Sequence, residues 1–482
     1  MKKKYLLLNI ILLTVFGCQQ NNNKLKLKEA TTIITNGIIV TVDSLGTIFP
    51  NGSVVIDGDE IVAIGTSAEI AKIYCSDNIV DAKGKIVMPG LINCHTHLSM
   101  TLFRGIADDL QLKDWLEKYI FPAEAEFMNA ENVEIGSQLA MIEMIHTGTT
   151  TFNDMYFYED KVAEVAKKIG MRGVVSESLI DFPVPNSKTS DEGISHIRKM
   201  VEKYKNDSLI TVGLAVHSPY TCGPDLLKKA KKVATELNLI YNIHVAETKW
   251  EIDTINKLHH LTPVEYLDKL GVLDHKTIAA HGVWLTDNDI NILSKRGVSV
   301  AHNPECNMKL SSGAAPIVKM VELNCNIGLG TDGVASNNNL NMFEEMHTMA
   351  LLAKISTRNP TSIPAEKAIR IATIGGAKLL GKEKEIGSLE VGKKADIIII
   401  NANRPNTTPL YNVYSTLVYA INANDVNDVI INGKFVLRNS NILNISEEEV
   451  MSNVRKKSRI IAKKLKEKNP DHIFINLLDS LQ

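Results

Sequence analysis

A chain of 482 residues with 44% hydrophobic and 22% charged residues can bury a large core and is too long for one small domain. A formal net charge of −2, without a basic stripe interleaved with aromatics, excludes an electrostatic case for nucleic-acid binding. Six cysteines with no C-x-x-C pair exclude a structural zinc knuckle and give no disulfide framework.

In chain order, the first segment is unlike the rest. Lys2, Lys3 and Lys4 make a basic start, and residues 5–16 form an apolar run too short to span a bilayer comfortably. The run ends in Val15-Phe16-Gly17-Cys18, which resembles a bacterial lipoprotein signal, with Cys18 as the residue that receives the lipid. A short uncleaved anchor or a chance apolar start is the alternative. Residues 1–28 are therefore expected to be signal peptide and polar tether. A lipid on Cys18 would hold the protein at a membrane surface outside the cytoplasm, on a periplasmic or cell-surface face.

Residues 29–92 read as short strands, with an Asp-Gly turn in VVIDGDEIVAIG and one buried strand over residues 85–92. Over residues 93–384 apolar strands alternate with helical runs. Strands are expected at TTTFNDM, RGVVSES, LITVGLAVH, LIYNIHVAE, TIAAHG, VSVAHN and NIGLGTDG, with helices over 131–147 and 224–237 between some of them. Together with the strand before His95 these predict a (β/α)8 TIM-like barrel. Strands return over 385–445, so the two flanking segments are expected to join in a small β-sandwich. Residues 446–482 predict a charged helical tail with a solvated face.

Polar residues collect at the ends of the expected barrel strands. In order they are His95 and His97, Asp154, His217, His244 with Glu247, His281, His302 and Asp332. Catalytic groups gather at this end of a parallel barrel, and buried polar groups are costly unless partnered. Alone, His-x-His could be two hydrogen-bonded histidines, but alternation also puts both rings on one side of an extended chain. His95, His97, His244 and Asp332 make a three-nitrogen, one-oxygen set suited to one divalent ion, zinc, with ferrous iron as the alternative. The fourth strand end offers no lysine that could bridge a second ion. GLGTDG matches a dinucleotide fingerprint but lacks the downstream acidic strand end. GAKLLGKE has Glu383 where a phosphate loop needs Ser or Thr. Cys94 reads as packing.

The stretches PGLINCHTHLSM, DDLQLKDWLEKYIFPAE, HSPYTC, HVAET, AAHGVWL, AHNPECNMKL and GTDGVASNNNLNMFEEM resemble the amidohydrolase superfamily. Within it the chain is similar to the 5′-methylthioadenosine/S-adenosylhomocysteine deaminases over nearly its whole length after the tether. The resemblance implies His95, His97, His244 and Asp332 as metal ligands and Glu247 as the acid that protonates a purine ring nitrogen. It implies Glu124 as the acceptor for ribose hydroxyls, His217 as a substrate contact and His281 as the residue that steadies the attacking oxygen. Hydrolytic deamination fits these types: Asp332 can take a proton from water and Glu247 can supply one, steps that typically give about 10²–10⁴-fold.

The expected activity is hydrolysis of the 6-amino group of an adenine nucleoside: 5′-methylthioadenosine, adenosine, 5′-deoxyadenosine or S-adenosylhomocysteine. A guanine or oxidised-purine deaminase, a triazine hydrolase, and a binding protein without catalysis are the alternatives. Glu177 stands where relatives that take S-adenosylhomocysteine carry an arginine, which predicts poor acceptance of that amino-acid tail. The oligomeric state is left open.

Overall fold

Gly90 divides the apolar run over residues 85–92 between two sheets. The computed structural model describes residues 27–468, so Cys18 and the tether up to residue 26 lie outside the described residues, while Lys28, expected in the tether, pairs with Tyr74 in a short parallel strand. Lys85–Pro89 pairs antiparallel with Ile397–Asn401 in a flanking sheet, whereas Leu91–Thr96 pairs parallel with Thr149–Tyr156 in the barrel. A Cβ on residue 90 would come within 2.1 Å of the Thr150 side chain. Only glycine lets the chain cross there. The single strand expected over 85–92 is thus two strands, and the domain boundary expected at 92/93 falls inside the first barrel strand.

Eight parallel strands follow one another around the barrel in chain order: Leu91–Thr96, Thr149–Tyr156, Arg172–Leu179, Ile210–Val216, Tyr241–Val245, Thr277–His281, Ser299–His302 and Asn326–Leu329. Every residue of the second and third strands is buried, as expected of a parallel sheet covered on both faces. The expected helices occupy Ala130–His146 and Pro224–Glu236, with Thr147 and Leu237 as their caps.

Strands one and eight meet along a seam of specific hydrogen bonds. Asn93 Nδ2 donates to Thr331 Oγ1 (2.8 Å), Thr331 N–H donates to Asn93 Oδ1 (3.1 Å), and Asp332 N–H donates to the His95 carbonyl (2.9 Å). Further inside, Asn153 Nδ2 donates to Asn242 Oδ1 (2.8 Å) and Asn242 Nδ2 to Ser176 Oγ (2.9 Å). These buried amides partner one another across the barrel, which removes the cost of burying them.

The two flanks join in one continuous nine-stranded sheet. Its core mixes both ends of the chain: Ile34, Val54, Ile56 and Ile61 pack in one cluster with Ile397, Ile399 and Ile430. The Asp-Gly hairpin joins Ile48–Asp57 to Glu60–Thr66, with Gly58 at φ +60°. The C-terminal helix Glu447–Lys468 lays Val450, Ile461 and Leu465 inward and leaves most of its cations exposed. Among the described residues no helix is long and apolar enough to cross a membrane.

Arg172, at the start of the third strand, ties barrel to sheet. Its Nε and Nη2 donate to the Asp396 carboxylate at 2.7 and 3.1 Å, and its Nη1 donates to the Ser208 carbonyl at 2.6 Å. Both side chains of the pair are almost fully buried. Removing one partner of a buried pair leaves an uncompensated charge, so Asp396→Ala is expected to cost about 3–5 kcal/mol in urea unfolding. Replacing both, as Arg172→Met with Asp396→Leu, is expected to recover most of that loss. A single variant within about 0.5 kcal/mol of wild type would show that the pair does not hold the two units together.

Candidate active site

Closure of the barrel seam brings the first and eighth strand ends into contact, and the site is built there. His95 Nε2 and His97 Nε2 each lie 3.2 Å from Asp332 Oδ1. His97 Nδ1 sits 2.7 Å from the Met155 carbonyl, and His244 Nδ1 sits 2.7 Å from the His217 carbonyl. A carbonyl can only accept, so in both rings Nδ1 carries the hydrogen and Nε2 presents its lone pair inward. His95 Nε2 is buried and has no hydrogen-bond partner, because its contact with Asp332 lacks hydrogen-bond geometry.

Asp332 is oriented from behind. Its Oδ2 accepts from Cys306 Sγ and from Ser336 Oγ, both at 2.8 Å, which leaves Oδ1 for the histidines. Burial pushes this carboxyl up, but the adjacent His95 and His97 rings outweigh burial and hold it well below the usual carboxylate range. Donor atoms of His95, His244, His281 and Asp332 all lie within 4.8 Å of one another. An orphaned buried nitrogen, inward lone pairs and an ionised carboxylate fit a divalent cation, and the donor set forms a divalent-metal centre. Three of the four expected ligands are in this cluster together with His281; the fourth, His97, lies outside it with Nε2 3.2 Å from Asp332 Oδ1.

Asp332 and His281 adopt left-handed backbone conformations, φ +61° and +73°. Such conformations are costly for residues with a Cβ and concentrate at functional sites. The glycines beside them serve packing. A Cβ at Gly328 would lie 2.4 Å from Cys94 Sγ, and one at Gly330 would lie 2.8 Å from His95 N. The G-x-G-x-x-G pattern is therefore explained by the approach of strand eight to strand one.

A pocket with a cavity volume of about 60 Å³ lies over this centre and opens to solvent. Glu247 lines it, buried, with Oε2 3.8 Å from His281 Nε2 and Oε1 without a hydrogen-bond partner. Burial raises its carboxyl above the ordinary range. Glu124 lines the same pocket, accepts the Tyr156 hydroxyl at 2.7 Å, and is pushed up by burial to about 7. His217 also faces the pocket; its Nδ1 is engaged by Thr221 Oγ1 at 2.9 Å, and burial lowers its pKa to about 3. Apolar lining comes from Leu112, Trp115, Leu116, Ile120 and Phe121, and no lysine or arginine among the described residues lines the pocket.

Three residues sit differently from expectation. Glu177 points away from the pocket: it accepts from the Glu159 N–H (3.1 Å) and Asn186 Nδ2 (2.6 Å) and pairs with His196 (3.3 Å). Strand alternation instead turns Ser178 toward the pocket, so no acid repels a substrate tail there. Asp154 accepts the Leu98 N–H at 2.9 Å and so shapes the turn after His97. His302 is buried, its pKa lowered to about 3 by burial, and does not line the pocket.

Two contributors were not foreseen. Glu251 accepts the backbone N–H groups of Ala246 (2.8 Å) and Glu247 (2.9 Å), fixing the loop that carries Glu247. Burial raises its carboxyl to about 8. The Thr248-x-x-Glu251 spacing, a helix-start signature, was the available signal. Tyr156, the partner of Glu124, had none beyond its place at a strand end.

Comparison with known proteins agrees with this geometry. Residues 86–436 match the amidohydrolase family. The chain is 44% identical to the 5-methylthioadenosine/S-adenosylhomocysteine deaminase 1 of Syntrophus aciditrophicus, over 92% of this chain and 100% of that protein. It is 44% identical to the 5′-deoxyadenosine deaminase of Methanosarcina acetivorans, over 88% of this chain and 97% of that protein. An adenosine deaminase from Xanthomonas campestris, solved with bound zinc, superposes with a TM-score of 0.89 at 35% identity, over 91% of this chain and 100% of that chain. On sequence and structure together, this chain belongs to the amidohydrolase family.

Proposed function

We infer that this chain is a metal-dependent hydrolase that replaces the 6-amino group of an adenine nucleoside with oxygen and releases ammonia. The observation that carries the reading is a pair of buried carboxyls lining one pocket, Glu247 beside the His/Asp centre and Glu124 held by Tyr156. The first can serve the purine and the second its ribose. The activities named for the relatives at 44% identity point the same way.

The proposed ligands are His95, His97, His244 and Asp332, and the proposed ion is zinc. When bound, such an ion lowers the pKa of water toward ~7 and so makes a nucleophile available at neutral pH. Asp332 accepts the proton of the attacking water while Cys306 and Ser336 hold its other oxygen. Glu247 donates to the ring nitrogen next to C6, which makes that carbon electrophilic; burial favours the protonated form it needs. His281, 3.8 Å from Glu247, steadies the oxygen arriving at C6. Glu124 accepts from ribose hydroxyls, and His217 contacts the nucleoside.

Among the described residues no cation lines the pocket to meet a charged 5′ substituent. A hydrogen bond to a charged group contributes about 1.5–3 kcal/mol, roughly 10- to 150-fold in specificity. S-adenosylhomocysteine forgoes that contribution here, whereas a methylthio or methyl group loses nothing against Leu116, Ile120 and Phe121. Purified metal-replete protein is expected to turn over 5′-deoxyadenosine, 5′-methylthioadenosine or adenosine with at least about tenfold higher kcat/KM than S-adenosylhomocysteine. A preference for S-adenosylhomocysteine would overturn the tail assignment, and guanine outrunning every adenosine derivative would remove the role given to Glu124.

The N-terminal sequence supports a further reading, that Cys18 carries a lipid and anchors the enzyme outside the cytoplasm. Cell fractionation is expected to place wild type with membranes and Cys18→Ala in the soluble fraction, with unchanged activity. Wild type recovered from the cytoplasm would contradict the anchor.

A further inference from the structure

Cys306 lies in the helix Pro304–Lys309, directly after the seventh barrel strand, and its thiol is fully buried. It donates to Asp332 Oδ2 at 2.8 Å, but Ser336 Oγ already donates to the same oxygen at the same distance. As a hydrogen-bond donor the thiol is therefore duplicated. On its other side are two groups that face the pocket. Cys306 Sγ, a carboxylate oxygen of Glu247 and a ring nitrogen of His281 all lie within 4.8 Å of one another.

This trio shares His281 with the His/Asp cluster and differs from it in bringing Glu247 and a sulfur. Tetrahedral zinc with one sulfur and two lighter ligands requires donors roughly 3.3–3.8 Å apart. Glu247 Oε2 and His281 Nε2 are already 3.8 Å apart, so modest rotation of the carboxylate and thiol would complete the set. Glu247 Oε1 is buried without a hydrogen-bond partner. His281 Nδ1 lies 3.0 Å from Asn307 Oδ1 and 3.3 Å from Asn303 Nδ2; the shorter contact is to an oxygen that can only accept, which puts the hydrogen on Nδ1 and leaves the Nε2 lone pair facing Glu247. A thiolate in the set selects zinc or cadmium over magnesium or calcium.

We propose that Glu247, His281 and Cys306 form a second cation site that binds zinc or cadmium and blocks turnover when filled. The block rests on Glu247 being the acid of the deamination reaction, since a carboxylate bound to a cation cannot donate a proton. Filling the site forms a sulfur–metal bond and breaks the S–H bond. The thiol proton and the proton that Glu247 carries both leave to solvent, Asp332 keeps its bond from Ser336, and nothing is oxidised or reduced.

The test titrates Cd2+ into full-length protein that already holds one zinc per chain. One further equivalent is expected to bind, with a sulfur-to-cadmium charge-transfer absorbance that rises in step and a matching loss of turnover. Cadmium that merely displaced the first ion would give no such band, because the His/Asp centre contains no sulfur. Cys306→Ser keeps a donor to Asp332 and is expected to abolish the band and weaken the second ion by at least tenfold. Glu247→Gln is expected to weaken it as well while leaving the thiol in place. Absence of a second equivalent, a second equivalent without the band, or unchanged affinity in both variants would each overturn the proposal. The absorbance is read without substrate, so it decides on this site even if no adenine nucleoside is turned over.

Discussion

Everything at this site depends on the closure of the barrel between its first and eighth strands. The hydrogen bond from Asp332 N–H to the His95 carbonyl, flanked by the Asn93–Thr331 pair, places a carboxylate beside two imidazoles from the other end of the barrel sequence. Gly328 and Gly330 make that approach sterically feasible. Without the seam His95 and His97 would be an isolated pair at a strand end. With it, Asp332 Oδ1 lies 3.2 Å from both ring nitrogens.

Around the seam, the protein spends stability on orientation. His97 and His244 are locked through Nδ1 by backbone carbonyls, and Asp332 Oδ2 is held by Cys306 and Ser336. Asp332 and His281 sit in strained left-handed conformations. Burial raises the carboxyls of both Glu247 and Glu251, and the Glu247 loop depends on the Glu251 clamp. Such placements are costly in a fold that only has to be stable. They are consistent with a site preorganised to move protons around a cation.

The barrel was legible because parallel strands buried on both faces leave long apolar runs, and polar residues at one end of those runs mark the rim. The convergence of His95, His97, His217, His244, Glu247, His281 and Asp332 follows from that single regularity. The misplaced details share a different cause. The crossing at Gly90 depends on the proximity of Thr150, a tertiary contact that no local pattern reports. The outward turn of Glu177 depends on strand phase, where a shift of one residue exchanges the two faces. Residues such as Tyr156 and Glu251 act by holding another residue, and their roles exist only once the partners are in place.

The central claim is that Glu247 delivers a proton inside a pocket whose metal centre is built by other residues. Glu247→Gln keeps the side chain's shape but cannot deliver that proton. Metal analysis alongside steady-state kinetics on 5′-deoxyadenosine is expected to show wild-type metal content, about one divalent ion per chain, with kcat lowered about 10²–10⁴-fold. A Glu247→Gln enzyme that kept its metal and lost less than about tenfold in kcat would contradict the account.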